Sequence, residues 1–353
     1  METGEYGEGT LTDAWWSEVF GADVRGGVPE RIGSGQVGMN LRVRLESDDP
    51  DVPGVVVVKL ASPDPVSRAT GMSLRNYERE VKFYREIAET VDVRVPRCHF
   101  ADWHPDGGDI MLVLEDMAPA EQGDQILGCG PDDAVAAVAE LARLHGPRWD
   151  DPALHEVDWL QRRAAMADAD QLAGLYGMLL PGFLASLGDA VDAGTDGRGT
   201  AFLEELGRRI PAYVSGLAEP WTVTHGDYRL DNLLFGEEPG RPRCTVVDWQ
   251  TPGHGCGAVD LAYFVGAGLL PPERREMERD LVDRWRAGVE AYGHALDPGA
   301  VDRDYRRGAV SGAIMAVIAS QVVGRTERGD RMFVAMAERH VLQGIDNDSL
   351  EAM

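Results

Sequence analysis

Three oxygen-bearing side chains stand at a telling spacing in this chain. Asp227 and Asn232 lie within His225-Gly226-Asp227-Tyr228-Arg229-Leu230-Asp231-Asn232, and Asp248 follows sixteen residues later, at the end of the apolar run Cys244-Thr245-Val246-Val247. Phosphoryl transfer asks for a carboxylate beside the attacking hydroxyl and two hard oxygen ligands for Mg²⁺, because positioning and charge neutralisation supply most of the rate. Asp227 fits the first role, to orient and deprotonate an acceptor hydroxyl, and Asn232 and Asp248 fit the second. Such groups need short loops fixed between strands. Trp221-Thr222-Val223-Thr224 reads as a strand delivering the loop, and Leu233 to Phe235 with Thr245 to Val247 as a small hairpin behind it.

The elements ahead of this loop can be read independently of it. Gly33-Ser34-Gly35-Gln36-Val37-Gly38 has the G-x-G-x-x-G pattern, which by itself also occurs in dinucleotide-binding folds. A dinucleotide fingerprint opens a helix. Here Leu41, Val43 and Leu45 alternate with Arg42 and Arg44, the period of a half-buried strand, so the glycines are expected to cap a hairpin lying over phosphates, with an ordinary turn as the other reading. After Pro53-Gly54, residues Val55 to Leu60 form an apolar strand that carries Lys59, one of two lysines in the whole chain. A lysine kept there, where arginine is used almost everywhere else, points to a task for a compact ammonium such as the α- and β-phosphates of ATP. Tyr77, Val81, Tyr84 and Ala88 recur at helical spacing between Leu74 and Thr90. Ile110 to Leu114 is another buried strand. Pro131 to His145 is an amphipathic helix, with His145 read as a histidine satisfied at its end.

Together these residues resemble the aminoglycoside phosphotransferase and choline kinase superfamily, whose hallmark is His-Gly-Asp-x₄-Asn followed by a strand ending in Asp-Trp or Asp-Phe. The resemblance runs from about Thr10 to about Gly324. Protein kinases share the Asp-x₄-Asn spacing, but Gly226 stands where they carry arginine, Asp248 continues as Trp249-Gln250, and no Ala-Pro-Glu segment follows, which points away from protein substrates. The runs Glu80 to Tyr84, Val113 to Met117 and Gly123 to Gln125 with Gly128-Cys129 look most like the ecdysteroid kinase-like and choline kinase-like branch and its bacterial relatives. That branch implies a lipophilic or other small alcohol as acceptor.

The resemblance implies an α+β, bilobal protein kinase-like fold. An N-lobe over residues 1–117 would hold an antiparallel sheet, one main helix and the Gly-rich loop, and a larger, mostly helical C-lobe over 118–353 would hold the catalytic loop, the metal site and the acceptor-binding helices. It gives the phosphate cradle to Gly33, Ser34, Gly35 and Gly38, and gives Glu80 the ion pair that holds Lys59 over the nucleotide, with Glu78 as the other carboxylate in reach. Adenine would meet the Glu115 carbonyl and the Met117 amide. Asp260 would brace the catalytic loop or act as a simple helix N-cap.

Composition bounds the rest. A chain of 353 residues with 44% hydrophobic content can bury two cores. Its formal charge of -26 disfavours nucleic acid and anionic membranes, and because the acids are spread along the chain they read as a solvated surface more readily than as a steering field for a cationic acceptor. Cys98, Cys129, Cys244 and Cys256 show neither zinc spacing nor disulfide density, the N-terminus lacks a signal-peptide pattern, and the uncharged run from Gly308 to Gly324 falls short of spanning length and reads as a buried helix. The expectation is a cytoplasmic, ATP- and Mg²⁺-dependent kinase for a small-molecule hydroxyl, without nucleic-acid, membrane or protein partner. A catalytically silent nucleotide-binding protein of the same fold is disfavoured because every position the chemistry needs is filled. An aminoglycoside or other antibiotic kinase is the remaining alternative.

Overall fold

One alternating strand and two apolar runs build the sheet that carries Lys59. In the computed structural model, which describes residues 6–33, 38–105, 108–161, 168–237, 240 and 242–353, its strands are β1 (Arg25–Gly26), β2 (Glu30–Ile32), β3 (Gly38–Glu46), β4 (Val55–Ala61), β5 (Cys98–His104) and β6 (Asp109–Glu115). β1 and β2 both pair with β3, and the order continues β4-β6-β5, antiparallel throughout. Leu41, Val43 and Leu45 of β3 and Val56, Val58 and Leu60 of β4 turn to one face and meet Trp15 and Trp16 of helix α1 (Asp13–Phe20). The Thr12 hydroxyl caps α1 by accepting from the Trp15 amide, and Gly21 ends it with a φ of 67°. The glycine run joins β2 to β3, antiparallel strands in which Ile32 faces Asn40, so a hairpin and not a helix follows it.

The helical stretch expected over Leu74 to Thr90 is divided. After α2 (Pro65–Ser73), Arg75 adopts a left-handed φ of 57°, α3 (Asn76–Lys82) begins, and the chain widens into a π-helical turn at Phe83–Ile87. Phe83 packs there with its ring 3.7 Å from that of Trp249 and tilted by only 4°. A π turn re-aims one side chain without ending the helix, and such turns recur at functional sites.

Contacts separate the chain into a first unit of Met1–Thr90, Arg94–Ala120 and Val246–Pro252, and a second of Val91–Val93, Glu121–Thr245 and Gly253–Met353. A single cut at residue 117 draws the boundary differently, because the segment bearing Asp248 is fastened to the first unit. The Val246 amide donates to the Arg94 carbonyl at 2.8 Å, and Arg79 donates to the Pro252 carbonyl at 2.7 Å.

The second unit is mostly helical: α4 (Pro131–His145), α5 (Ala169–Phe183), α6 (Asp189–Gly194), α7 (Gly199–Gly216), α8 (Gly257–Gly268), α9 (Pro271–Glu290), α10 (Pro298–Gly308), α11 (Ser311–Val322) and α12 (Glu327–Asp346). The chain stays helical from Ala169 to Gly194, long and apolar enough to cross a membrane by length and composition alone. The uncharged run near the C-terminus is α11, buried over most of its length. Two small sheets frame the loop. The expected hairpin of β9 (Leu233–Phe235) and β10 (Cys244–Val246) gains a third strand, β7 (Glu121–Gln122), while β8 (Thr222–Thr224) pairs with β11 (Gly253–Gly255).

Helix α8 is buried along nearly its whole length, and close approach explains its glycines. A Cβ at Gly266 would lie 2.6 Å from the His340 ring, and one at Gly312 of α11 only 1.9 Å from His340 Nε2. Burial pushes the His340 imidazole down to about 4, with bonds to the Ala309 carbonyl and Gln343 opposing and the Arg274 and Arg339 charges adding to the fall. Between the ordinary histidine value of 6.5 and about 4, the unfolded chain therefore binds a proton that the folded chain refuses. Stability at this residue is present above that window and is lost as pH falls through it, by about 3 kcal/mol in total. Urea unfolding at pH 7 and pH 4.5 is expected to show a smaller acid loss in His340→Gln than in the wild type. Equal losses in the two proteins would remove His340 from the acid sensitivity.

Candidate active site

In the first unit, β4 places Lys59 opposite Leu112 of β6 and Asn40 of β3. Its ammonium donates to Glu80 Oε1 and to Asp248 Oδ1, each at 2.7 Å. Burial works against the ammonium, but the Asp248 and Glu80 carboxylates outweigh it and hold Lys59 protonated above its usual range. Burial pushes the Glu80 carboxyl up, and the nearby ammonium opposes that shift. Glu78 is engaged elsewhere, by Arg75 at 2.6 Å and Lys82 at 2.9 Å, so Glu80 is the helix carboxylate that pairs with Lys59.

Asp248 sits at a φ of 65°, a left-handed conformation that costs a non-glycine residue roughly 1–2 kcal/mol and persists only where the surroundings enforce it. Trp249 supplies much of that enforcement. Its ring is stacked on Phe83, its Nε1–H donates to the Val246 carbonyl at 3.2 Å, and the Gln250 amide donates to the Asp248 carbonyl at 2.9 Å. The Asp248 side chain remains 39% exposed, in contrast to the buried Glu80.

Of the glycine run, Gly33 has a φ of 68° at the end of β2, and Gly38 opens β3, where a Cβ would come within 3.1 Å of Lys59 Cε. Ser34 and Gly35 lie outside the described residues. Glu115 ends β6 with its carboxylate held by Arg94 at 2.8 Å and its amide donating to the Arg97 carbonyl. Met117 follows two residues later, and its carbonyl accepts from the Ala120 amide at 2.8 Å.

In the second unit, β8 leads into the loop, and Gly226 turns it at a φ of 77°, which explains glycine at this position. The Asp227 carboxylate receives three donors. Tyr263 Oη–H donates to Oδ1 at 2.9 Å, while Arg229 Nε and Asn232 Nδ2 donate to Oδ2 at 3.1 and 3.0 Å. Asn232 also donates to the Asp227 carbonyl at 2.9 Å, so its NH₂ is committed and its amide oxygen is the atom it can offer a hard cation.

The loop backbone is held from below. Asp260 lies inside α8, whose N-cap is Cys256, so it is not the helix cap. Its Oδ2 and Oδ1 accept from the His225 and Gly226 amides at 2.6 and 3.1 Å. His145 stands behind it: Trp285, which can only donate, gives its Nε1–H to His145 Nδ1 at 2.9 Å, and His145 Nε2 faces Asp260 Oδ2 at 3.5 Å. His145 ends α4, as expected, with its ring between Trp285 and Asp260.

The sequence matches the phosphotransferase enzyme family, APH, over residues 39–309. The chain belongs to that family. The matched span includes Lys59, Glu80, Glu115, Met117, Asp227, Asn232 and Asp248, and the glycine run lies just ahead of it. No curated protein sequence matches the chain. Solved structures similar to it include a microcompartment-associated aminopropanol kinase, at 15% identity and a TM-score of 0.50 over 92% of this chain and 94% of the other. An ethanolamine kinase of Plasmodium vivax is similar at 12% identity and a TM-score of 0.50, over 88% of this chain and 80% of the other. At these identities the likeness establishes the kinase-like fold.

Within the family frame, several supporting residues escaped the sequence reading. Gln125 accepts from the Leu230 amide at 2.8 Å and donates to the Ala267 carbonyl at 2.8 Å, while its own amide donates to Asp231 Oδ1 at 3.1 Å. Arg339 clamps the carbonyls of Gln125, Ile126 and Ala267 at 2.6–3.0 Å. Tyr263 and Arg339 lie far from the loop in sequence and share no local pattern with it, whereas Arg229 lies inside the His225 to Asn232 run and Gln125 inside the Gly123 to Cys129 run.

Asp260→Ala would strand two loop amides in a buried place, at about 1–3 kcal/mol each. Urea unfolding is expected to show a loss of about 2–6 kcal/mol for Asp260→Ala and a smaller loss for Asp260→Asn, which keeps one acceptor. Wild-type stability in Asp260→Ala would mean that the loop is held by something else.

Proposed function

We propose that this protein is an ATP-dependent, Mg²⁺-requiring kinase that transfers the γ-phosphoryl group to a hydroxyl of a small molecule in the cytoplasm. The observation that carries the reading is Lys59 set between Glu80 and Asp248 in a buried strand. Withdrawing such charges from water costs several kcal/mol per ion, and well-packed apolar residues would hold the fold as well. A ligand that uses the ammonium accounts for its presence.

In this reading Lys59, held by Glu80, receives the α- and β-phosphates, and the backbone of Gly33, Ser34, Gly35 and Gly38 covers them. Adenine meets the Glu115 carbonyl and the Met117 amide. Asn232 and Asp248 offer oxygen atoms to Mg²⁺, which when bound neutralises phosphate charge. Among the described residues no cluster of three or more His, Cys, Asp and Glu side chains could hold a metal ion. Two hard oxygens nevertheless suit Mg²⁺, which keeps waters and phosphate oxygens as its other ligands. Asp227 orients the acceptor hydroxyl and takes its proton. The acceptor is a small, lipophilic or simple alcohol.

Lys59→Ala is expected to weaken binding of Mg²⁺ with a non-hydrolysable ATP analogue by roughly 10- to 100-fold, the worth of a charge-assisted phosphate contact, as read by calorimetric titration. Unchanged affinity would make Lys59 a packing residue. Asp227→Asn keeps the size and removes the base. With a panel of alcohols and ADP release as the readout, its turnover is expected to fall by roughly 10²- to 10⁴-fold while nucleotide affinity stays near the wild-type value. Wild-type nucleotide binding without phosphorylation of any alcohol would favour a silent binder instead.

A further inference from the structure

We infer that Tyr263 is a positioning residue that decides which oxygen of Asp227 receives the acceptor hydroxyl, an inference that rests on the role of Asp227 proposed above. A carboxylate oxygen has two lone-pair directions in its plane. Oδ2 has both taken, by Arg229 Nε at 3.1 Å and Asn232 Nδ2 at 3.0 Å. Oδ1 has one taken, by the Tyr263 hydroxyl at 2.9 Å. The acceptor hydroxyl is therefore received on Oδ1, next to the phenol oxygen.

The phenol is built to stay where it is. Tyr263 is 5% exposed, and its ring lies 5.6 Å from that of His340. It follows Asp260 by three residues, so one face of α8 supports both parts of the loop: Asp260 holds its amides and Tyr263 holds its carboxylate. Burial, and then the Asp227 charge, raise the tyrosine well above its ordinary range, so the hydroxyl remains a donor at neutral pH and does not compete as a base. Arg229 is tied on its other side to Asp231, so it too is fixed.

The step balances without a co-reactant beyond ATP. The acceptor O–H breaks and its proton passes to Asp227 Oδ1 as the oxygen bonds to the γ-phosphorus. The bond from that phosphorus to the β-bridging oxygen breaks, with the electron pair leaving on ADP. The Tyr263 hydrogen bond fixes the direction from which Oδ1 can receive the acceptor O–H.

Tyr263→Phe in the full chain removes the hydroxyl and keeps the ring. Three readouts test the inference. Calorimetry with Mg²⁺ and a non-hydrolysable ATP analogue is expected to give equal binding in the two proteins. ADP release with water as the acceptor is expected to fall roughly 10- to 100-fold in Tyr263→Phe. The same substitution made in an Asp227→Asn background is expected to leave the residual ADP release unchanged within about 2-fold, because no base is left to position. Failure of the wild type to bind the analogue would overturn the kinase reading and this inference with it. Equal analogue binding with unchanged ADP release, or an equal fall in the Asp227→Asn background, would overturn the role of Tyr263 alone.

Discussion

A buried carboxylate with two backbone amides as its partners is the constraint around which the second unit is organised. Asp260 is 4% exposed and receives the amides of His225 and Gly226. Those amides belong to a loop that cannot bond in regular secondary structure, because Gly226 takes a left-handed turn. Remove the carboxylate and both amides lose their partner. Thr222 extends the same support by donating from its hydroxyl to the His145 carbonyl at 2.7 Å, tying the incoming strand to the end of α4.

The first unit solves a parallel problem differently. There the reactive groups are charged side chains, and their positions are set by ion pairing and stacked rings. Glu80 is fixed by α3, and the π turn that follows puts Phe83 flat against Trp249. Asp248 precedes that tryptophan, so the stack limits where its carboxylate can go even though the side chain is partly open to water. One group is held through its backbone, the other through its neighbours.

Much of this could be read from the residues. Lys59, Glu80, Asp227, Asn232 and Asp248 stood out because each is a chemically distinctive residue type at a strand end, a helix face or a loop. Strand β3 was legible from period-two alternation and β4 from its apolar run behind Pro53-Gly54. The extent of the helix around Glu80 was not, since the widened turn answers to a ring, Trp249, far away in sequence. The strand β11 was missed because Gly253-His254-Gly255 has no strand propensity and forms only by pairing with β8. Tyr263 and Arg339 were illegible for a related reason: their work is done on a carboxylate and on carbonyls brought near by packing.

The first unit is discontinuous in sequence, and this has a consequence for synthesis. Its last piece, Val246–Pro252, emerges from the ribosome after more than a hundred residues of the second unit have been made. At 5–20 residues per second that is a wait of roughly 7–26 seconds. During that interval Phe83 has no ring to lie against and Lys59 lacks one of its two carboxylates. The sheet and α1 already share a core of their own and can form early. The nascent chain thus carries a nearly finished sheet with an open apolar seat until residue 252 arrives, the point in its life at which a chaperone has most to protect.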